Sequence, residues 1–174
     1  RMLRARRFAA QLGFALEAGT EAAIGRCAGL CAALSRERVR EEAEKTLLSD
    51  RPALFGRMLE EGLLAACLAP QQADFSALSG LPRTPEARWT GAKLACPALL
   101  PEAFRLPSRL RGDCVTLRQL AVTGADLPQL CGRDVGRMLQ LLLAYVLEHP
   151  AENRKAHLLS LAPQLWQRES KNNS

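Results

Sequence analysis

The chain has 174 residues, 48% hydrophobic and 5% aromatic, with 24 Lys and Arg against 18 Asp and Glu and a net charge of +6. That length builds one large domain or two small ones, and the bias toward Leu, Ala, Arg and Glu favours helix over strand. The charge suits a polyanionic partner without requiring one, and no apolar run reaches the ~18 residues that argue for a membrane span.

The first predicted helix covers Arg1 to Leu12, with Leu3, Phe8 and Leu12 on one side and Arg1, Arg4, Arg6 and Arg7 round the rest. Gly13 caps it, and Phe14 is expected to fold back onto the last turn. A second helix is expected from Ala18 to Leu30. Ser35 is a good N-cap for a third, Arg36 to Leu48, which buries Val39, Ala43, Thr46 and Leu47. Ser49 or Asp50 caps a fourth, with Pro52 near its start and Leu54, Phe55, Met58, Leu59 and Leu63 as its stripe.

Residues 69–85 read as a long connection rich in Pro, Ser, Gly and Gln. Helices resume over Pro85 to Ala95, with Trp89 as a core anchor, and again over Leu99 to Phe104. A short helix capped by Thr116 carries Leu117 and Leu120, and a turn follows at Val122 to Leu127. A long helix runs from Arg133 to Glu148 and stops at Pro150. A last one runs from Asn153 to Leu165, before a polar, frayed end at 168–174. No period-two strand pattern appears, so the fold is read as all-α.

Cys27, Cys31, Cys67, Cys96, Cys114 and Cys131 form no C-x-x-C pair, and only His149 and His157 would be at hand to complete a metal site. They are read as small buried thiols in a reducing cytosol, which places the chain in the cytoplasm with no metal of its own. The basic start lacks the apolar run of a secretory signal. Position 1 is not an initiator Met, so the chain reads as a piece of a longer protein or a processed one.

The block Arg1-Met-Leu-Arg-Ala-Arg-Arg-Phe-Ala-Ala-Gln-Leu-Gly-Phe14 resembles R-M-L-R-A-x-R-F-A-x-x-L-G-F of bacterial CCA-adding tRNA nucleotidyltransferases and related poly(A) polymerases. Ser35-Arg-Glu-Arg-Val-Arg-Glu-Glu42 is similar to the following E-R-I-x-x-E-L helix, with Ala43 in place of the bulky residue. Leu120-Ala-Val-Thr-Gly-Ala-Asp-Leu127, then Gly132, Gly136, Pro150 and Asn153, is similar to the tail pattern of the short bacterial type. There Arg133-Asp134 replaces the usual Pro-Gly. Residues 65–112 match only loosely.

The resemblance implies an elongated array with a neck at 1–64, a body at 65–112 and a tail at 113–174. The family's metal-binding aspartate pair and the Glu-Asp of its Glu-Asp-x-x-Arg template motif would lie upstream of residue 1. The catalytic head is thus expected to be missing, and the supplied chain inactive by itself. It would carry no cofactor, while the intact parent would use Mg2+ with CTP and ATP.

Arg1 matches the arginine of the template motif, whose planar fork suits a base edge. Arg4, one turn on, is expected to face the same way and reach the triphosphate or order Arg1. Arg7 matches a family position and is read as an internal ion-pair donor to the following helices. The partner implied is tRNA, held at its acceptor arm and elbow, with no membrane contact. Lys93, Arg105, Arg109 and Arg111 are candidate phosphate contacts in the body.

In the tail, Gly124, Arg133 and Arg137 are candidates at a glycine turn and helix start, which read either as a phosphate site or as tight helix packing. Trp89, Trp166 and Tyr145 are read as core anchors rather than base-stacking platforms. Two other readings stand beside this one: a poly(A), CC- or A-adding relative, and a non-catalytic helical protein-interaction module.

Overall fold

The computed structural model describes residues 1–97, 102–110, 112 and 114–172. Among them lie seven α-helices and no strand, so the fold is all-α. The helices are α1 (Met2–Leu12), α2 (Ala18–Cys27), α3 (Arg36–Leu47), α4 (Leu54–Glu60), α5 (Pro85–Ala95), α6 (Arg133–Glu148) and α7 (Lys155–Asn172). Short 3-10 segments link them.

Local chemistry sets most boundaries. Ser35 Oγ accepts the Arg38 backbone N–H at 3.3 Å to start α3, and Thr84 Oγ1 accepts that of Ala87 at 3.3 Å to start α5. Pro85 then occupies the first turn of α5, where its missing N–H costs nothing. Gly13 ends α1 with φ +75°, a conformation L side chains rarely adopt, and its carbonyl accepts Arg51 Nη1 at 3.0 Å.

Two hydrophobic clusters organise the packing. The first runs from Leu3 to Leu110 and centres on aromatic rings. Phe55 meets Phe75 edge-on at 5.1 Å between centroids, and Trp89 lies 5.1 Å from Phe104. Trp89 is fully buried, as its reading as an anchor requires, and its indole N–H donates to Glu44 Oε2 on α3 at 2.8 Å. The second cluster runs from Cys114 to Ala162 and packs α6 on α7 through Met138, Leu142, Val146, Leu158 and Ala162. Asn153 ties this unit together, accepting the Ala121 N–H at 2.8 Å and donating to the Gln119 carbonyl at 2.9 Å.

Several expectations need correction. The buried face of α1 is Leu3, Arg6, Ala9 and Ala10, while Leu12 is 69% exposed and Phe14 remains largely outside. The reason is helical geometry: Leu12 lies nine residues from Leu3, half a turn round the helix, so burying Leu3 with Arg6, which turns inward to two carboxylates, faces Leu12 outward. The second helix leaves α geometry after Cys27 and tightens to a 3-10 segment, Ala28–Ala33.

Neither Ser49 nor Asp50 caps α4. Ser49 Oγ donates to the Thr46 carbonyl at 2.6 Å, and Asp50 pairs with Arg83. Of the helix expected over 99–104, residues 98–101 lie outside the described residues and 102–105 form a turn, with Arg105 at φ +49°. The short helix expected after Thr116 is a single 3-10 turn, Leu117–Gln119. The last helix does not fray at 168 but continues through Pro163 to Asn172, because Leu165 and Trp166 still pack on the second cluster.

Where the clusters meet, Gly112 is pressed against Pro150, and a Cβ there would also stand 2.9 Å from Thr90 Oγ1. The hydroxyl of fully buried Thr90 on one side and a rigid proline ring on the other leave little room to yield. Gly112→Ala is therefore expected to lower stability by about 2–3 kcal/mol. Urea unfolding followed by circular dichroism checks this, and a loss under about 0.5 kcal/mol would mean that the junction is loosely packed.

Candidate functional site

The first helix is anchored by ions rather than by oil. Arg6 is buried, and its guanidinium bonds both Glu21, in the first turn of α2, and Glu61, just past α4. Its Nε–Glu61 Oε2 contact is 2.8 Å. The hydrogen bond to Glu21 and that to Glu61 raise the Arg6 pKa despite the opposing effect of burial, and Arg6 in turn lowers that of Glu21. Arg57 extends the cluster, 3.7 Å from Glu21 and 3.5 Å from Glu61.

One residue on, Arg7 Nε donates to Glu42 Oε2 of α3 at 2.6 Å, with both side chains nearly buried. This is the internal ion pair expected of Arg7. The Arg7 guanidinium also lies 4.0 Å over the Phe8 ring.

These anchors leave a cleft of about 220 Å3 between the start of α1, the 28–33 segment and α3. Arg1, Arg4, Arg38 and Glu42 supply its polar wall, and Met2, Leu3, Leu30 and Leu34 its apolar wall. Arg1 and Arg4 thus share one site, as their one-turn spacing predicts. The Arg4 guanidinium stands 5.6 Å from the Phe8 ring. Among the described residues no carboxylate pairs with Arg1, Arg4 or Arg38. Among the described residues Glu42 is the one acidic side chain that lines the cleft, and Arg7 already holds it.

Arg38 was not singled out from sequence. Its signal was its place four residues before Glu42 on a capped helix, a spacing that ordinarily makes an ion pair.

The other candidates fall elsewhere. Arg105 and Arg109 line a second cleft with Arg40, Glu41 and Glu44, and both are paired, Arg105 with Glu37 at 3.0 Å and Arg109 with Glu86. Arg40 Nη1 donates to the Arg105 carbonyl at 2.9 Å. Lys93 is half-buried in the last turn of α5. Arg111 lies outside the described residues.

In the tail, Gly124 opens a 3-10 turn whose would-be Cβ stands 3.0 Å from Val135, so this glycine serves close packing. Gly136, by contrast, faces open space, so close packing does not require a glycine there. Arg133 is the exposed first residue of α6, and Arg137 lies 3.8 Å from Glu169 on α7. Tyr145 donates to Glu152, and its ring lies 4.6 Å from that of His149. Trp166 is half-buried on the second cluster.

All six cysteines are free thiols; Cys27 and Cys131 are exposed rather than buried, since neither side chain joins a cluster although their neighbours Ala28 and Leu130 do. Among the described residues no group of His, Cys, Asp and Glu is arranged to hold a metal ion, and no helix is long and apolar enough to cross a membrane.

A family model described as the probable RNA and SrmB-binding site of polymerase A matches residues 13–76. This segment includes Arg38, Glu42 and the two carboxylates that hold Arg6. A protein of Lactiplantibacillus plantarum named as a CCA-adding enzyme is 52% identical over 52 residues, 30% of this chain and 13% of its own length. The chain is related to the CCA-adding enzymes. A second such enzyme, from Limosilactobacillus fermentum, is 43% identical over 65 residues, 37% of this chain and 14% of its own. The matched stretches thus span about one seventh of these CCA-adding enzymes. No solved structure matches the chain at a significant level.

The tail turn carries a pH signature. Asp126 accepts the Thr123 N–H at 2.9 Å and pairs with Lys155 of α7 at 2.6 Å. Lys155, then the Thr123 N–H and hydroxyl, hold the Asp126 carboxyl down to about 2. A carboxylate lowered on folding stabilises above its unfolded pKa of about 4, and that contribution is lost as pH falls toward 2. Asp126→Asn should therefore melt below the unaltered chain at pH 5, with the gap closing between about pH 4 and pH 2. A gap that stays constant across thermal melts in that window would contradict the assignment.

Proposed function

We propose that this chain is the RNA-gripping and nucleotide-selecting region of an enzyme that adds CCA to tRNA 3′ ends from CTP and ATP. The observation that carries the reading is the cleft of three arginines that have no carboxylate partner among the described residues, formed where α1 meets the segment that resembles an RNA-binding site. The names of the two relatives support CCA addition as the reaction of the intact protein.

Each residue has a stated part. Arg1 would present its fork of N–H donors to the acceptor edge of an incoming base, with the apolar wall of Met2, Leu30 and Leu34 against the base plane. Arg4 would neutralise phosphate or steady Arg1. The tRNA would be held beyond the cleft by phosphate contacts. Arg133 has no carboxylate partner among the described residues, and Arg105, Arg109, Arg137 and Lys93 are further candidates for that role. Arg105, Arg109 and Arg137 would have to exchange or share their carboxylates to make it.

Nucleotidyl transfer in such an enzyme depends on Mg2+. The described residues do not fit that ion, since no carboxylate cluster is arranged for it, so the metal would be held by other parts of the protein.

A helical protein-interaction module is the second reading. It draws on the exposed Leu12 and Phe14 and on the pairing of RNA with a protein in the family's description. Fluorescence anisotropy with tRNA lacking its CCA end, a minihelix and an unstructured RNA of equal length separates the two. An RNA grip through four phosphates predicts preference for tRNA and a loss of about 100-fold in affinity between about 50 and about 200 mM salt. Equal binding of all three RNAs, or none at low salt, would contradict it.

A further inference from the structure

We propose that Arg38 is the third arm of an arginine clamp for the polyphosphate of a nucleoside triphosphate, acting with Arg1 and Arg4. The inference rests on the nucleotide-selecting reading of the cleft and assigns a residue to it from α3.

Arg38 lies four residues before Glu42, so the two share a face of α3 and would ordinarily neutralise one another. Here Glu42 is nearly buried and already bonded by Arg7 at 2.6 Å, a charge-assisted contact that fixes the carboxylate toward α1. Arg38 is thereby left with no acidic partner among the described residues. Its neighbours across the cleft, Arg1 and Arg4, are in the same state.

Three cations lining one cleft of about 220 Å3 repel one another unless an anion enters. The backbone beneath Arg38 is held in place, because its N–H is taken by the Ser35 cap in the first turn of the helix. Three arginines that line one cleft, from the start of α1 and from α3, match an anion with several oxygens, and a polyphosphate supplies them. By contrast, Arg40, two residues on, has its Nη1 committed to the Arg105 carbonyl at 2.9 Å.

The test is isothermal titration of the 174-residue chain with inorganic tripolyphosphate, CTP and cytidine, in the unaltered protein and in Arg38→Ala, Arg38→Lys and Arg26→Ala. Arg26 is an exposed arginine of α2 outside the cleft, so its removal controls for net charge. The clamp predicts that Arg38→Ala weakens tripolyphosphate and CTP about tenfold or more, that Arg38→Lys recovers part of this, and that Arg26→Ala and cytidine binding are unaffected.

Equal weakening by Arg38→Ala and Arg26→Ala, or unchanged tripolyphosphate binding in Arg38→Ala, would overturn the clamp. Titrating tRNA into the same proteins keeps the two claims apart. Retained tRNA binding with no Arg38 effect removes the clamp alone, whereas loss of tRNA binding by the unaltered chain removes the function it rests on.

Discussion

A guanidinium buried between two carboxylates governs the first half of this molecule. Arg6 is 3% exposed and joins α1 to Glu21 at the start of α2 and to Glu61 beyond α4, so one side chain connects three parts of the chain. Removing a partner from such a cluster is costly, because the remaining charges lose both their compensation and their water. The apolar side chains that α1 buries are one leucine and two alanines, too little to fix its rotation by hydrophobic burial alone. Its orientation is set by charge geometry: Leu3 and Arg6 face inward, and Leu12, half a turn round the helix from Leu3, faces out.

That rotation has chemical consequences. With Arg6 turned inward, Arg7 is directed at Glu42 of α3, while Arg1 and Arg4 are presented to the cleft. Capture of Glu42 by Arg7 leaves Arg38 without its helical partner. One internal ion pair therefore makes a neighbouring charge available, and a row of arginines that composition alone marks as a solvated face becomes two anchors and a receptive site. The tail follows a more conventional plan, with an amphipathic α6 packed on α7 and side-chain bonds from Asn153 and Asp126 closing its turns.

Much of the fold was legible because its determinants are local. Thr84 and Pro85 announce the start of α5, and the apolar stripe of α6 with Pro150 beyond it gives that helix the span Arg133–Glu148. The N-cap at Ser35 and the left-handed stop at Gly13 are likewise written in single residues. What could not be read is non-local. Arg6 meets carboxylates 15 and 55 residues away, and no periodicity in an arginine-rich helix shows which arginine turns inward. The same limit hid Arg38, whose availability depends on a contact between Arg7 and Glu42 that spans 35 residues. The pairing of Arg105 and Arg109 with Glu37 and Glu86 was equally out of reach.

The central claim is that the Arg6 carboxylate cluster, not apolar burial, holds α1 in place. Backbone amide hydrogen exchange in an Arg6→Lys variant tests it most directly, with α6 of the second cluster as internal reference. A lysine keeps the charge but lacks the fork that bonds both carboxylates at once. The account predicts that protection across 5–12 falls about tenfold to 100-fold, corresponding to roughly 1.4–2.8 kcal/mol, while α6 is unchanged. Unaltered protection of α1 in that variant would show that its few apolar contacts suffice and would contradict the account.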